Sequence, residues 1–254
     1  MTKGTSHGQR VFRVQAAFVA LGGDILGPTE IAESTGLDTA TVYRVLQAGL
    51  YDETFEQVSR GQYRLGAGSA RLGMRIMART PDPEAAHAVL EDLHNATAGL
   101  VGYYTAVGSR KLCVDFEIGD CDLDQFAFNP AELIAVNRCL RVGASGRAIL
   151  AHQSPAILEK VLAERVPDGA GSGVIRDRSR LLRSLDEVRV AGYAVAHQEA
   201  IDGWDSIAAP VMWGRSIQGS VGVMLPSDPA SDLDHLAAAT VKAAARMTSL
   251  LSAK

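Results

Sequence analysis

The stretch from Pro28 to Leu50, PTEIAESTGLDTATVYRVLQAGL, constrains this chain more than any other. Two short apolar-periodic runs flank a glycine, a pattern that calls for two helices meeting at a tight turn. Thr29 is placed to N-cap the first, and Ile31 and Ala32 give it an apolar side. Gly36 is placed to end it, since glycine takes the left-handed conformation of a helix C-terminus without strain. Asp38 caps the second, whose Val42, Val45 and Leu46 fall at i, i+3 and i+4 and form a buried stripe. The faces left over present Thr39, Thr41, Tyr43, Arg44 and Gln47. Hydroxyls, a guanidinium and an amide are the groups that bond phosphates and base edges when a helix enters the major groove. A helical hairpin with a solvated polar face is the competing reading.

The flanks extend the motif. Val11, Val14, Phe18 and Leu21 make one stripe of a helix over 11–21 that Gly22-Gly23 stops. After Leu50, Phe55 and Val58, then Tyr63 and Leu65, read as two short strands around Ser59-Arg60-Gly61. Three helices and a hairpin make a winged helix-turn-helix, with Arg60 near the wing tip, in reach of a backbone phosphate. Gly66 to Ser69 breaks the composition, and Ala70–Arg79 reads as a linking helix stopped by Thr80-Pro81. Its Leu72, Ile76 and Met77 suit an apolar seam against a second copy.

The charge distribution agrees with a head on a separate body. Residues 1–80 hold 9 Lys/Arg against 7 Asp/Glu, whereas residues 81–254 hold 16 against 22. Such a balance excludes a protein that coats nucleic acid indiscriminately, because counterion release needs a dense basic surface. No apolar run reaches the roughly 18 residues of a membrane span, and MTKGTSHGQR lacks the apolar core of a signal peptide. Cys113, Cys121 and Cys139 form no CxxC pair and read as reduced thiols of a cytoplasmic protein.

From Pro83 helices and strands alternate. A helix through Ala88, Leu90 and Leu93 precedes a hairpin of GLVGYYTAV and RKLCVDFEI across Gly108-Ser109. Helices are expected near 145–152, 155–166 and 180–191, strands at 193–197, 207–212 and 217–225, and a final helix from Leu233 to Leu251. The expectation is an α+β protein of three parts: a head over 1–68, a linker helix over 69–80, and a sensor-like domain over 81–254.

Chemistry finds little purchase. Asp120 to Asp124 begins like a calcium loop, but Gln125 stands where glycine is needed and Ala131 where glutamate is needed, so a solvated acidic turn is expected. His87 and His94, two turns apart, read as helix surface, and His197 and Glu199 lack cysteine partners; no metal is expected. In Gly143-Ala144-Ser145-Gly146 the second glycine falls one residue early for a nucleophile elbow, and no general base is placed beside Ser145. No phosphate-binding loop or dinucleotide fingerprint is present, so neither enzyme activity nor a cofactor is expected.

Four stretches in order, TATVYRVLQ, GQYRLG, GASGRAILA and GYAVAHQEAIDGWDSIAAPV, resemble the isocitrate-lyase-regulator (IclR) family of bacterial transcription factors. The resemblance implies a winged-helix head that binds double-stranded operator DNA, a linker helix, and a C-terminal effector domain related to GAF folds. It also implies assembly as a homodimer or dimer of dimers. The matching DNA-contact positions are Thr29, Thr39, Thr41, Tyr43, Arg44, Gln47 and Arg60. The matching effector positions are Gly143, Ala144 and Ser145 at a helix N-terminus, Glu199, Gly203 and Ser206 on the loop and strand that follow, and Ser220, Gly222 and Met224 on the last strand; Trp204 is expected beside them as an apolar contact. Ala196 replaces a common Asp, Ser206 a common Cys, and Gly222 with Met224 a common pair of serines; Trp204-Asp205 is unusual, and Glu53-Thr54 replaces a glycine-tyrosine turn. These departures imply an amphipathic effector, its polar end at the Ser145 helix start and its apolar body on Trp204. The rival class is a small-molecule-binding or dimerising scaffold without DNA-binding activity.

Overall fold

The computed structural model describes residues 7–77, 83–119 and 138–252. The chain divides into two compact units, Met1–Thr80 and Pro81–Lys254. The acidic stretch Asp120–Asp124, with Cys121, Gln125 and Ala131, lies outside the described residues.

The first unit opens with α1 (His7–Leu21), α2 (Pro28–Thr35) and α3 (Thr39–Leu50). Thr29 is not the cap of α2. Gly27 holds that place, Pro28 takes the first helical position, and the Glu30 carboxylate accepts the Gly27 amide at 2.7 Å. Proline's fixed φ and missing N–H suit that position, which moves the helix start back by two residues. Gly36 ends α2 at φ 65°, its N–H donating to the Ala32 carbonyl, and Asp38 caps α3 by accepting the Thr41 amide at 2.8 Å. The wing follows as β1 (Phe55–Ser59) and β2 (Gln62–Leu65), antiparallel, with Arg60-Gly61 at the turn. Leu26 and Tyr63 exchange backbone hydrogen bonds of 2.9 and 3.0 Å, which binds the helical half to the wing. Val14, Phe18, Ile31, Val42, Val45, Leu46, Phe55 and Tyr63 fill one core, in which the Phe18 and Phe55 rings stack at 5.6 Å.

The linking helix, α4 (Ala67–Met77), starts three residues before its expected beginning. Gly66 and Gly68 are not a flexible break. A β-carbon on either would meet the Glu53 or Asp52 carbonyl at 2.2 to 2.5 Å, so glycine is required for α4 to dock on the turn before the wing. Glu53 itself has φ 59°, a left-handed conformation that glycine would adopt more easily. Leu72 is exposed within the single chain, and the side chains of Ile76 and Met77 lie outside the description.

The second unit is a five-stranded antiparallel sheet in the order β4-β3-β7-β6-β5 with helices on both faces. Its elements are α5 (Pro83–Thr97), β3 (Leu100–Val107), β4 (Arg110–Glu117), α6 (Gly143–Leu150), α7 (Pro155–Ala163), α8 (Arg178–Ala191), β5 (Ala194–His197), β6 (Trp204–Trp213), β7 (Ser216–Pro226) and α9 (Leu233–Ser252). One face carries Val101, Ile207, Val221 and Val223 against α5 and α9. The other carries Ala194, Ala196 and Ala208 against α6 and α8. Small residues on the second face let α6 lie close to the sheet.

Strand β4 is irregular in a way that matters below. Cys113 pairs with Tyr104 and Asp115 with Tyr103, so Val114 is an extra residue that reverses the alternation. Lys111 and Cys113 therefore face α6, while Asp115 and Glu117 face α5. Among the described residues, no helix is long and apolar enough to cross a membrane.

Truncating Leu46, which is fully buried in the head, leaves a cavity that neighbouring α1 and β1 side chains fill only in part. Leu46→Ala is expected to cost about 2–5 kcal/mol in the head's own urea transition, with the transition of the second unit unmoved.

Candidate functional site

On the head, α3 exposes Thr39, Tyr43 and Arg44, and Thr29 is exposed at the start of α2. Thr41 points inward. It is buried, its hydroxyl donates to Asp38 at 2.7 Å, and it accepts from Arg44 Nη2 at 3.3 Å. Gln47 is half-buried and donates to the Tyr63 hydroxyl at 2.8 Å. Both are supports of the helix rather than parts of its free face. Arg60 is exposed at the wing turn, beside Gly61 at φ 74°. Its neighbour Arg64 is committed to Glu56 by two hydrogen bonds of 2.8 and 2.9 Å. Arg44 keeps free donors, because a guanidinium has five and only two are engaged here.

In the second unit the start of α6 departs from expectation. Its amides do not face an open anion site. The Gly143 N–H donates to Glu199 Oε2 at 3.0 Å and the Ala144 N–H to Ser206 Oγ at 3.4 Å. Val142, the N-cap residue, supplies no side-chain bond, so the Glu199 carboxylate, carried on the loop after β5, does the capping. Gly143 has φ 76°, which a residue with a β-carbon adopts only at a cost. The other Glu199 oxygen accepts from Arg147 Nη2 at 2.7 Å, and the same nitrogen bonds the Val195 carbonyl. Both partners are buried, and burial pushes the Glu199 carboxyl up against the opposing pull of Arg147 and the Gly143 amide.

A cleft of about 30 Å³ lies beside this helix start, walled by Leu100, Tyr104, Gly143, Ser145, Ser206 and Met224 among others. Of the expected effector residues, Gly143, Ser145, Ser206 and Met224 border it. Ala144, Glu199, Trp204 and Ser220 do not. Ser220 is fully buried and donates to the Ser145 carbonyl at 3.1 Å, and Trp204 is half-buried at the far end of β6, paired with Pro226. Lys111, on β4, lies behind Ser145 and is not among the residues that line the cleft. Its Nζ donates to Ser145 Oγ at 2.6 Å and to the Val142 carbonyl at 3.3 Å, and it lies 5.1 Å from the Tyr104 ring centre. Lys111 is fully buried, and burial brings its ammonium down to about 8.

The opposite face of β4 brings a different set together. His87 on α5 meets Asp115 at 3.0 Å through Nδ1, and its Nε2 lies 3.4 Å from Glu117 and 4.0 Å from Glu91. His87, Glu91 and Glu117 are spaced so that they could hold a cation. Glu117 comes from a strand, so helical spacing alone did not anticipate the group. His94 borders the same hollow beside Glu91, Glu117 and Gly119, with its Nδ1 on the Gly99 carbonyl at 2.8 Å.

Residues 137–250 match the family described as bacterial transcriptional regulator IclR C-terminal. The HTH-type transcriptional regulator BhcR of Paracoccus denitrificans is 27% identical over 225 residues, which span 87% of this chain and 78% of that protein. A putative IclR transcriptional regulator from Silicibacter sp. TM1040 shares the fold with a TM-score of 0.60 at 21% identity, over 98% of this chain and 97% of that one. An IclR homologue from Microbacterium hydrocarbonoxydans, solved in complex with 4-hydroxybenzoate, superposes with a TM-score of 0.58 at 20% identity, over 97% and 99%. The second unit thus carries the IclR C-terminal match, and the chain as a whole resembles IclR-type regulators.

Lys111, bonded to Ser145 at the start of α6, is a residue that sequence reasoning missed. A lysine on a strand with alternating polar residues reads as solvent-facing, and the turn of β4 toward α6 is visible only in the pairing register. The Glu199 cap was missed for a related reason: 56 residues separate it from Gly143. Removing one partner of a buried pair leaves the other charge uncompensated. Glu199→Ala is expected to destabilise the second unit by about 3–5 kcal/mol in urea unfolding, and Arg147→Met added to it should restore most of the loss. A change below about 1 kcal/mol in the single variant would mean the pair behaves as an exposed one.

Proposed function

We propose that this chain is a sequence-specific DNA-binding transcriptional regulator whose C-terminal unit responds to a small-molecule effector. The observation that carries the reading is the α3 face. Thr39, Tyr43 and Arg44 project from a helix that is capped, buttressed from behind and joined to a wing bearing Arg60. That face suits base edges in a major groove, Arg60 suits a phosphate, and Thr29 at the start of α2 suits a second backbone contact. One head offers few contacts. A homodimer, or a dimer of dimers, would set two recognition helices on two half-sites and add their contributions. The exposed Leu72 of α4 supports a seam between copies.

The effector part of the reading is supported by the cleft beside α6 and by the 4-hydroxybenzoate held by the Microbacterium hydrocarbonoxydans homologue. A ligand there changes DNA binding only if it favours one arrangement of the assembly over another. The role is regulatory and not catalytic, and it places the protein in the cytoplasm beside its operator.

A gel-shift titration with the gene's own upstream region tests the reading. Arg44→Ala is expected to weaken operator binding by about 1–3 kcal/mol and to spare non-specific binding. Arg60→Ala should weaken binding to every sequence alike and lower the salt slope by about one unit. No retarded band with the wild-type dimer at low salt would overturn the proposal, and an unchanged affinity in folded Arg44→Ala would remove that residue from the interface.

A further inference from the structure

The α5 face of β4 gathers three carboxylates around one imidazole. Glu91, Asp115 and Glu117 all approach His87, and among the described residues none of the three pairs with a lysine or arginine. Even a protonated His87 would leave negative charge in excess there. Glu91 lies one turn beyond His87 on the same face of α5, and the extra residue at Val114 is what brings Glu117 to that side of β4.

The hydrogen bonds decide which nitrogen is free. Asp115 offers both carboxylate oxygens to His87 Nδ1, at 3.0 and 3.2 Å. A carboxylate only accepts, so Nδ1 carries a proton and, in the neutral ring, Nε2 keeps its lone pair. Nε2 lies 3.4 Å from Glu117 and 4.0 Å from Glu91. Both distances exceed the roughly 2.7–2.9 Å of a charge-assisted hydrogen bond. Ligands held at about 2.0–2.2 Å by a tetrahedral zinc stand roughly 3.3–3.6 Å from one another. The spacing of His87 and Glu117 falls in that range, and a small rotation of the exposed Glu91 side chain brings it in as well.

The surroundings suit an ion. Glu117 Oε1 accepts the Gly119 N–H at 2.5 Å, which fixes the carboxylate with Oε2 toward His87. Glu91 and Glu117 border an open hollow of about 420 Å³ with His94, Asn95 and Gly119, so a hydrated ion has access and room. His94 donates through Nδ1 to the Gly99 carbonyl, so its lone pair is also on Nε2, the nitrogen nearest Gly119.

We propose that His87, Glu91 and Glu117 bind a divalent transition ion of the zinc class that joins α5 to β4. Asp115 orients His87 as a positioning residue, and His94 stands just outside the three. An imidazole nitrogen beside two carboxylates favours zinc over magnesium or calcium, which take oxygen ligands. Three protein ligands leave a coordination position for water or for His94. No metal is legible in the helical spacing of His87 and His94, because the deciding ligand comes from a strand. The site lies on the opposite face of the sheet from the cleft beside α6, and it does not depend on the regulator reading.

The full chain, stripped with a chelator and dialysed, is titrated with zinc chloride by calorimetry and equilibrium dialysis, with magnesium and calcium chloride as controls. About one zinc per chain is expected to bind saturably, and neither control ion at the same concentration. His87→Ala and Glu117→Gln should each weaken zinc by about tenfold or more, and His94→Ala by less. Asp115→Ala should weaken it by about tenfold, and Asp115→Asn, which keeps an acceptor oxygen, should recover part of that loss. Cys113→Ser should change nothing. Cobalt(II), as a coloured substitute, should give visible ligand-field bands without a thiolate charge-transfer band, which separates this site from one built on cysteine. Circular dichroism establishes that the variants fold. No saturable zinc uptake up to about 100 μM would overturn the proposal and leave His87 as an imidazolium among carboxylates. Unchanged affinity in His87→Ala or Glu117→Gln, a loss in Cys113→Ser, a thiolate band, or magnesium binding as tightly as zinc would each overturn it too. Zinc binding by a chain that shifts no DNA would leave this inference standing and sink the regulator reading alone.

Discussion

In a regular strand side chains alternate strictly, so Lys111, Cys113, Asp115 and Glu117 would all share one face of β4. The extra residue at Val114 breaks that rule and sends the first two toward α6 and the last two toward α5. Much of the second unit follows from this. With a regular strand either the lysine would be lost from the α6 side or two carboxylates would be added to it, next to Glu199. With the bulge, the α6 face receives one cation and the α5 face receives two acids, which His87 meets through Nδ1 and Nε2. Both faces of the edge strand thereby carry polar chemistry without mixing their charges. The bulge is what divides the charges of this edge strand between the two faces.

The α6 helix start shows how a ready-made anion site can be closed from within. Free amides at a helix N-terminus attract negative charge, and here Glu199 supplies it. Burying that carboxylate would be prohibitive alone, but Arg147 lies on the same helix one turn on and takes the second oxygen. The resulting pair ties α6 to the loop after β5 and fixes the wall of the cleft. The two amides at the start of α6 are thereby satisfied from within the chain.

The elements that were legible in the sequence are those with local causes. Asp38 capping α3, the stripe of Val42, Val45 and Leu46, Gly36 at the end of α2 and the turn at Arg60-Gly61 all act within four residues of each other. The strands and helices of the second unit followed from periodicity in the same way. What was not legible depended mostly on distant partners. Gln47 looks like a surface amide until Tyr63, 16 residues on, is seen to hold it; Thr41 is the exception, since its partners Asp38 and Arg44 are each three residues away. Glu199 looks like a ligand contact until Gly143 and Arg147 are placed against it. Pro28 at the first position of α2 was a local signal that outranked the capping propensity of Thr29.

Thr41 and Gln47 gain a clearer role from these losses. A recognition helix is useful only if its exposed groups arrive at the groove already oriented, since each floating side chain adds an ordering cost to binding. Thr41 joins Asp38 to Arg44, so the cap at the helix start also steadies the guanidinium three residues on. Asp38 is held below the ordinary carboxylate range by the Thr41 hydroxyl and amide, which keeps it an acceptor. Gln47 reaches the buried Tyr63 hydroxyl on β2, and Tyr63 in turn shares two backbone bonds with Leu26. The wing and α3 are thus joined through one buried ring, and Arg60 at the wing tip stands at a fixed offset from Arg44. In the proposed interface, these buried bonds would fix the distance between the helix face that reads the groove and the wing that meets the backbone.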